Sequence, residues 1–114
     1  MKTLTDDTLS QVARFLKALG EITRLRILRA LHDKELTVSD IIRQTDASQS
    51  NISKHLSVLT SVGILSCRKE GTSIYYRVSD PNITTICDTV CRSIADKIIQ
   101  GRNTLNNIRK GVVL

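Results

Sequence analysis

Between Asp46 and Gly63 the chain reads Asp-Ala-Ser-Gln-Ser-Asn-Ile-Ser-Lys-His-Leu-Ser-Val-Leu-Thr-Ser-Val-Gly, and no other stretch restricts the possible folds as strongly. Ile52, Leu56 and Leu59 recur at helical spacing and define one apolar stripe, which turns Ser50, Ser53, Lys54 and Ser57 to the opposite side. Ser48 can accept from the free amides of a first turn, and Gly63 suits the left-handed residue that ends a helix. The pattern predicts a helix over about residues 48–62. Its exposed side holds only short hydroxyls, the amides of Gln49 and Asn51, and one lysine. Such a surface can press its backbone close to a nucleic acid, where these groups meet phosphates and base edges. An ordinary amphipathic surface helix would carry the same pattern, so the neighbouring segments decide. His55 flanks the apolar stripe and reads as a packed or phosphate-contacting imidazole.

Upstream, Thr5 or Asp6 can cap a first helix that reaches about Leu19, with Leu9, Val12, Ala13, Leu16 and Leu19 on one side and Gly20 closing it. That stripe needs a partner. A second helix follows over about Ile22 to His32, where Ile22, Leu25, Ile27, Leu28 and Leu31 alternate with Arg24, Arg26 and Arg29. It reads as a core helix with a basic outer side. Thr37-Val-Ser-Asp40 has the form of a capping box and opens a short helix through Ile41, Ile42 and Arg43. Asp46 and Ala47 then turn the chain into the helix at 48–62. Two short helices joined by a few residues form a helix-turn-helix, in which the first braces the second against a groove of DNA.

Downstream the period changes. Residues 64–70 and 74–78 read as two strands rich in β-formers, joined through Gly71-Thr72-Ser73. A basic hairpin directly after a recognition helix is a wing, here over about residues 64–79, with Arg68, Lys69 and Arg77 available to a phosphate backbone or minor groove. Asp80-Pro81 then opens a last helix over about residues 81–100, proline being harmless in a first turn. Ile83, Ile86, Cys87, Val90, Ile94 and Ile98 recur along it at spacings of three and four. An apolar stripe of that length calls for a second chain. The expected architecture is therefore mainly α with a β-hairpin wing: a winged helix-turn-helix of four helices, a hairpin and a fifth helix. Residues 1–114 form one domain, paired as a homodimer through the first and last helices. A twofold dimer would offer its recognition helices to successive major grooves about 34 Å apart. Beyond Gly101 the apolar signal thins into a basic tail of Arg102, Arg109 and Lys110.

Composition narrows the function classes. The formal net charge of +6 favours a polyanionic partner, and double-stranded DNA is the one the helix pattern suits. Aromatic residues make up 3% of the chain, too few for a stacking platform for single strands. No apolar run is long enough for a membrane span and no basic-then-apolar leader opens the chain, so a soluble, cytoplasmic protein is expected. Enzyme classes find little support. No glycine-rich phosphate loop is present, nor a strand-turn-helix context for a nucleophilic serine.

Several strings, in order and at matching separations, resemble the ArsR/SmtB family of bacterial winged-helix repressors. They are Lys17-Ala-Leu-Gly-Glu-Ile-Thr-Arg-Leu-Arg-Ile-Leu28, Glu35-Leu-Thr-Val-Ser-Asp40, Ser48-Gln-Ser-Asn-Ile-Ser-Lys-His-Leu56 and Gly71-Thr-Ser-Ile-Tyr-Tyr-Arg77. The resemblance covers about residues 10–95. It implies a homodimer on an inverted-repeat operator, released when an inducer binds, often a toxic metal or metalloid. Members with a thiolate site on the bracing helix carry cysteines where this chain has Thr37 and Ser39, so that site is missing. Members that sense zinc through the last helix use histidine there, whereas the histidines of this chain are His32 and His55.

What remains is Cys87-Asp-Thr-Val-Cys91. A separation of four puts both thiols on one helical side, about 5–6 Å apart at Cβ. Soft thiolates at that spacing can share a thiophilic ion such as As(III) or Cd(II), with Cys67 or a cysteine of a second chain as third ligand. No obligatory cofactor is expected. The same thiols can instead serve a redox or reactive-sulfur switch, or Cys87 can be a small core residue. A thiol redox enzyme is a poorer reading, because the spacing is not Cys-x-x-Cys.

Overall fold

The computed structural model describes residues 4–109. Helices α1 (Asp6–Leu19) and α2 (Ile22–Ala30) lead into strand β1 (Leu36–Thr37), followed by helices α3 (Val38–Thr45) and α4 (Gln49–Ser61). Strands β2 (Leu65–Glu70) and β3 (Ser73–Val78) precede helix α5 (Asn82–Arg109). The chain divides into two compact units between Asp80 and Pro81. The first holds α1 to β3; the second is α5.

Within the first unit, α2, α3 and α4 contact one another, α1 lies on α2, and α4 lies on β2. Ile27, Leu31, Ile41, Ile52, Leu56, Leu59 and Ile64 are fully enclosed between them. Each such side chain contributes about 1.5–3 kcal/mol by leaving water. The helix ends follow the local sequence. The Thr5 hydroxyl accepts from the Thr8 amide at 3.2 Å. The Glu21 carboxylate accepts from the Arg24 amide at 2.9 Å, and that bond above all holds the carboxyl below its usual range. Helix α4 closes with the amides of Gly63 and Ile64 donating to the carbonyls of Thr60 and Leu59, at 3.1 and 3.0 Å. Gly63 takes φ +80°, so this is a glycine-dependent Schellman end, and buried Leu59 and Ile64 supply its apolar contact.

Three features depart from the sequence reading. The sheet has three strands in the order β1-β3-β2, not two. β1 pairs antiparallel with β3, Leu36 opposite Tyr76 and Thr37 opposite Tyr75. Two residues carry no alternation, so no pattern announced this strand. Secondly, Ile22 and Leu25 are exposed, although periodicity placed them in the core. At about 100° per residue they fall on the side of α2 opposite Ile27 and Leu31. Thirdly, α5 runs on to Arg109 instead of ending near residue 100. Lys110 of the expected tail lies outside the described residues.

The expected unpartnered stripes are present. Leu9, Val12 and Leu16 stand exposed on α1. On α5, Val90, Ile94 and Ile98 do the same, joined by Ile99 and Leu105. With 28 residues, α5 is about 42 Å long. Among the described residues no helix is long and apolar enough to cross a membrane.

Candidate nucleic-acid interface

The bracing helix α3 is anchored by a complete capping box. The Asp40 amide donates to the Thr37 hydroxyl and the Thr37 amide donates to the Asp40 carboxylate, each at 3.2 Å. The Thr37 hydroxyl, then its amide, then Arg43 hold the Asp40 carboxyl below its usual range. Asp46 ends α3 in the left-handed region at φ 55°, a conformation that aspartate tolerates, and its amide donates to Ile42 at 2.9 Å. Two residues later the Ser48 hydroxyl accepts from the Asn51 amide at 3.3 Å and starts α4. The turn between the helices is thus fixed by a left-handed residue at one end and a side-chain cap at the other.

From that start α4 sorts its residues cleanly. Ile52, His55, Leu56 and Leu59 are buried. Ser48, Gln49, Ser50, Asn51, Ser53, Lys54 and Ser57 are exposed. Every sequence-predicted contact residue of this helix except His55 therefore lies on the open side, which half-buried Val58 and Thr60 border. His55 takes the packed one of its two expected roles. Its spacing, with Ile52, Leu56 and Leu59 at steps of three, four and seven, puts it on the inner stripe, and it is 7% exposed. Its Nδ1 accepts from Arg24 Nε–H at 3.0 Å, and its Nε2 lies 3.7 Å from a Glu21 carboxylate oxygen. So placed, the imidazole packs inward, away from the exposed side of the helix. Sequence reasoning set Arg24 on a solvent side and missed this pairing, which joins residues 31 positions apart.

The hairpin β2–β3 stands next in the chain. Its register runs from Leu65 opposite Val78 to Glu70 opposite Ser73, leaving Gly71 and Thr72 as a two-residue turn. Gly71 takes φ +61°, as tight hairpin turns require. Lys54 on α4, Lys69 on β2 and Arg77 on β3 are exposed and form no ion pair with the described residues. Arg68 differs from these three. Its guanidinium donates to Glu35 at 2.8 Å and to Glu70 at 2.7 Å, and it lies 4.6 Å from the ring centre of Tyr75, its cross-strand partner. Both carboxylates, Glu70 first, hold Arg68 in its charged form and spend that charge locally. It braces the wing and has less of its charge free for a phosphate than these three.

The three cysteines carry free thiols, with Cys67 and Cys91 exposed and Cys87 half-buried. Cys87 and Cys91 share one side of α5. Burial first, then Cys91 and Asp88, push the Cys87 thiol up from its ordinary value. Cys67 stands on β2 opposite Tyr76. Among the described residues no cluster of three or more His, Cys, Asp or Glu side chains is placed to hold a metal ion. One chain therefore supplies the Cys87–Cys91 pair, not a three-ligand site.

Comparison with known proteins agrees with this geometry. The profile of the bacterial regulatory protein arsR family matches residues 22–66, from α2 into β2. The probable mercury resistance operon repressor of Streptomyces lividans is 35% identical over 74 residues, which are 65% of this chain and 59% of that protein. The chain thus spans under two thirds of that relative's length. The cadmium resistance transcriptional regulatory protein of Listeria innocua is 36% identical over 78 residues, 68% of this chain and 66% of that one. In three dimensions the chain is similar to a homodimeric winged helix-turn-helix DNA-binding domain from Mycobacterium bovis. That match has TM-score 0.72 and 33% identity over 89% of this chain and 95% of the other. Matching this domain at 33% identity over 89% of its own length, the chain belongs to the ArsR family of winged-helix transcriptional regulators, a family that binds DNA and is not one of enzymes.

Proposed function

We propose that this protein is a cytoplasmic transcriptional repressor that binds an inverted-repeat operator as a homodimer and leaves it when a thiophilic inducer reaches Cys87 and Cys91. The observation that carries the DNA-binding part is the exposed side of α4, with Gln49, Ser50, Asn51, Ser53 and Lys54 around a helix start capped by Ser48. Lys69 and Arg77 of the wing add cations that form no ion pair among the described residues. Short polar groups read base edges while the cations hold phosphates. Pairing through the exposed stripes of α1 and α5 would set two such surfaces at half-site spacing.

The inducer reading rests on chemistry. Two thiols four residues apart in a helix offer soft donors to As(III) or Cd(II), and relatives are named for mercury and cadmium resistance. A third ligand would come from the second chain. Binding at the pairing helix of each chain would then alter the spacing between the two reading helices. The alternative is a reactive-sulfur response through the same thiols. It is favoured by one observation, the exposure of Cys91, which leaves that sulfur open to attack. A direct disulfide between the two is disfavoured while α5 is helical, because Cβ atoms about 5–6 Å apart exceed the roughly 3.5–4.5 Å a disulfide spans.

The test is an anaerobic titration of the reduced protein bound to a fluorescent operator duplex, followed by anisotropy. Release by arsenite or cadmium that disappears in Cys87→Ser and Cys91→Ser is the expected result. Release only by a persulfide donor supports the sulfur reading, and release by none of them discards both.

A further inference from the structure

Arg24 ties three helices together. Its Nε–H donates to His55 Nδ1 at 3.0 Å, on the inner side of α4. Its Nη1–H donates to the carbonyls of Lys17 and Ala18, at 3.3 and 3.2 Å, at the end of α1. Its own amide is held by Glu21 at the start of α2. Because Nδ1 accepts, the ring proton of His55 belongs on Nε2, the nitrogen facing Glu21. The other buried residues of α4 are Ile52, Leu56 and Leu59, whose contacts are non-directional. Their close packing sets the position of the helix and, through shape, much of its rotation. The Arg24–His55 hydrogen bond has a required distance and angle.

We propose that Arg24 and His55 are positioning residues that fix the rotation of α4, so that its exposed side meets base edges in one register. This rests on the DNA-binding reading of α4. Lysine and arginine on flexible stems still reach phosphates after a small rotation, whereas Gln49, Ser50 and Asn51 lose base-edge geometry. Loss of the pair should therefore lower affinity for operator while sparing affinity for random DNA. Loss of stability alone lowers the folded fraction and weakens both equally.

The experiment compares operator and random duplexes of one length, by anisotropy, on protein whose folding is verified by circular dichroism. His55→Leu and Arg24→Gln should each lose about 10- to 100-fold in operator affinity, the worth of a hydrogen bond to a charged group. Random-duplex affinity should stay within about twofold, and the double variant should be no worse than either single one. His55→Asn, whose amide oxygen can take the place of Nδ1, should recover most of the loss. An unchanged operator-to-random ratio in His55→Leu and Arg24→Gln overturns the proposal. If His55→Leu does not fold, Arg24→Gln decides, since Arg24 is only half-buried. A native protein that prefers no duplex defeats the DNA-binding reading and this proposal with it. A discriminating native protein with an equally discriminating Arg24→Gln variant defeats the positioning role alone.

Discussion

Charge alone does not make a DNA contact. Arg68 and Lys69 are neighbours on β2, yet Arg68 is engaged by Glu35 and Glu70 while Lys69 is free of ion pairs among the described residues. Arg68→Ala should therefore leave the salt dependence of operator binding nearly unchanged. Lys69→Ala should flatten it, by a slope of about 2 for two chains, since each phosphate contact releases about 0.9 counterion. Titrations between low and moderate salt check both. The cysteines make a different residue-level prediction. A metal ligand must be a thiolate, and burial beside Cys91 and Asp88 holds Cys87 protonated to a higher pH than an ordinary thiol. Binding of Cd(II) must then expel that proton, so Cd(II) affinity should rise by at least about tenfold per pH unit as pH climbs towards the raised value, whereas arsenite, whose hydroxides carry thiol protons away as water, should not show this rise. Competition titrations with Cd(II) at several pH values would show it; a Cd(II) affinity flat with pH would mean that Cys87 is not a ligand.

Elements were legible where a short string decides them. The Thr37–Asp40 box, the Ser48 cap and the Gly63 end each depend on residues within four positions, and all three stand where the sequence places them. Gly63 at φ +80° is the sharpest case. Gly63→Ala should lower stability by about 1–2 kcal/mol, the cost of a left-handed L-residue, although a Cβ there meets open space. Thr37→Ala should cost about 1 kcal/mol through the lost cap of α3. Thermal or urea unfolding measures both, and a neutral Gly63→Ala would mean that the end of α4 relaxes freely. What the sequence concealed was long-range or too brief. β1 is a strand only because β3 lies beside it. Arg24 stands three, four and seven residues before buried Ile27, Leu28 and Leu31, so the helix turns it inward, but its acceptor, His55, is far along the chain. His55 itself was findable, since it sits on the same three-four spacing as Ile52, Leu56 and Leu59.

At the scale of the whole molecule, the exposed stripes of α1 and α5 and the polar side of α4 belong to one proposed machine. Pairing through α1 and α5 would fix the distance between reading helices, and ligand at α5 would change it. Coupling of this kind is typically about 1–3 kcal/mol, or about 5- to 150-fold in operator affinity, and it is reciprocal. Operator DNA should weaken inducer binding by the same factor, a prediction that equilibrium titrations with and without DNA can read. Beneath this lies the claim that α4 and the wing grip duplex DNA through Lys54, Lys69 and Arg77 in each of two chains. The most direct test is the salt dependence of operator affinity. Six phosphate contacts predict a slope of log affinity against log salt of about −5, falling by about 2 in Lys54→Ala. A slope near zero, or one unmoved by that substitution, would contradict the account.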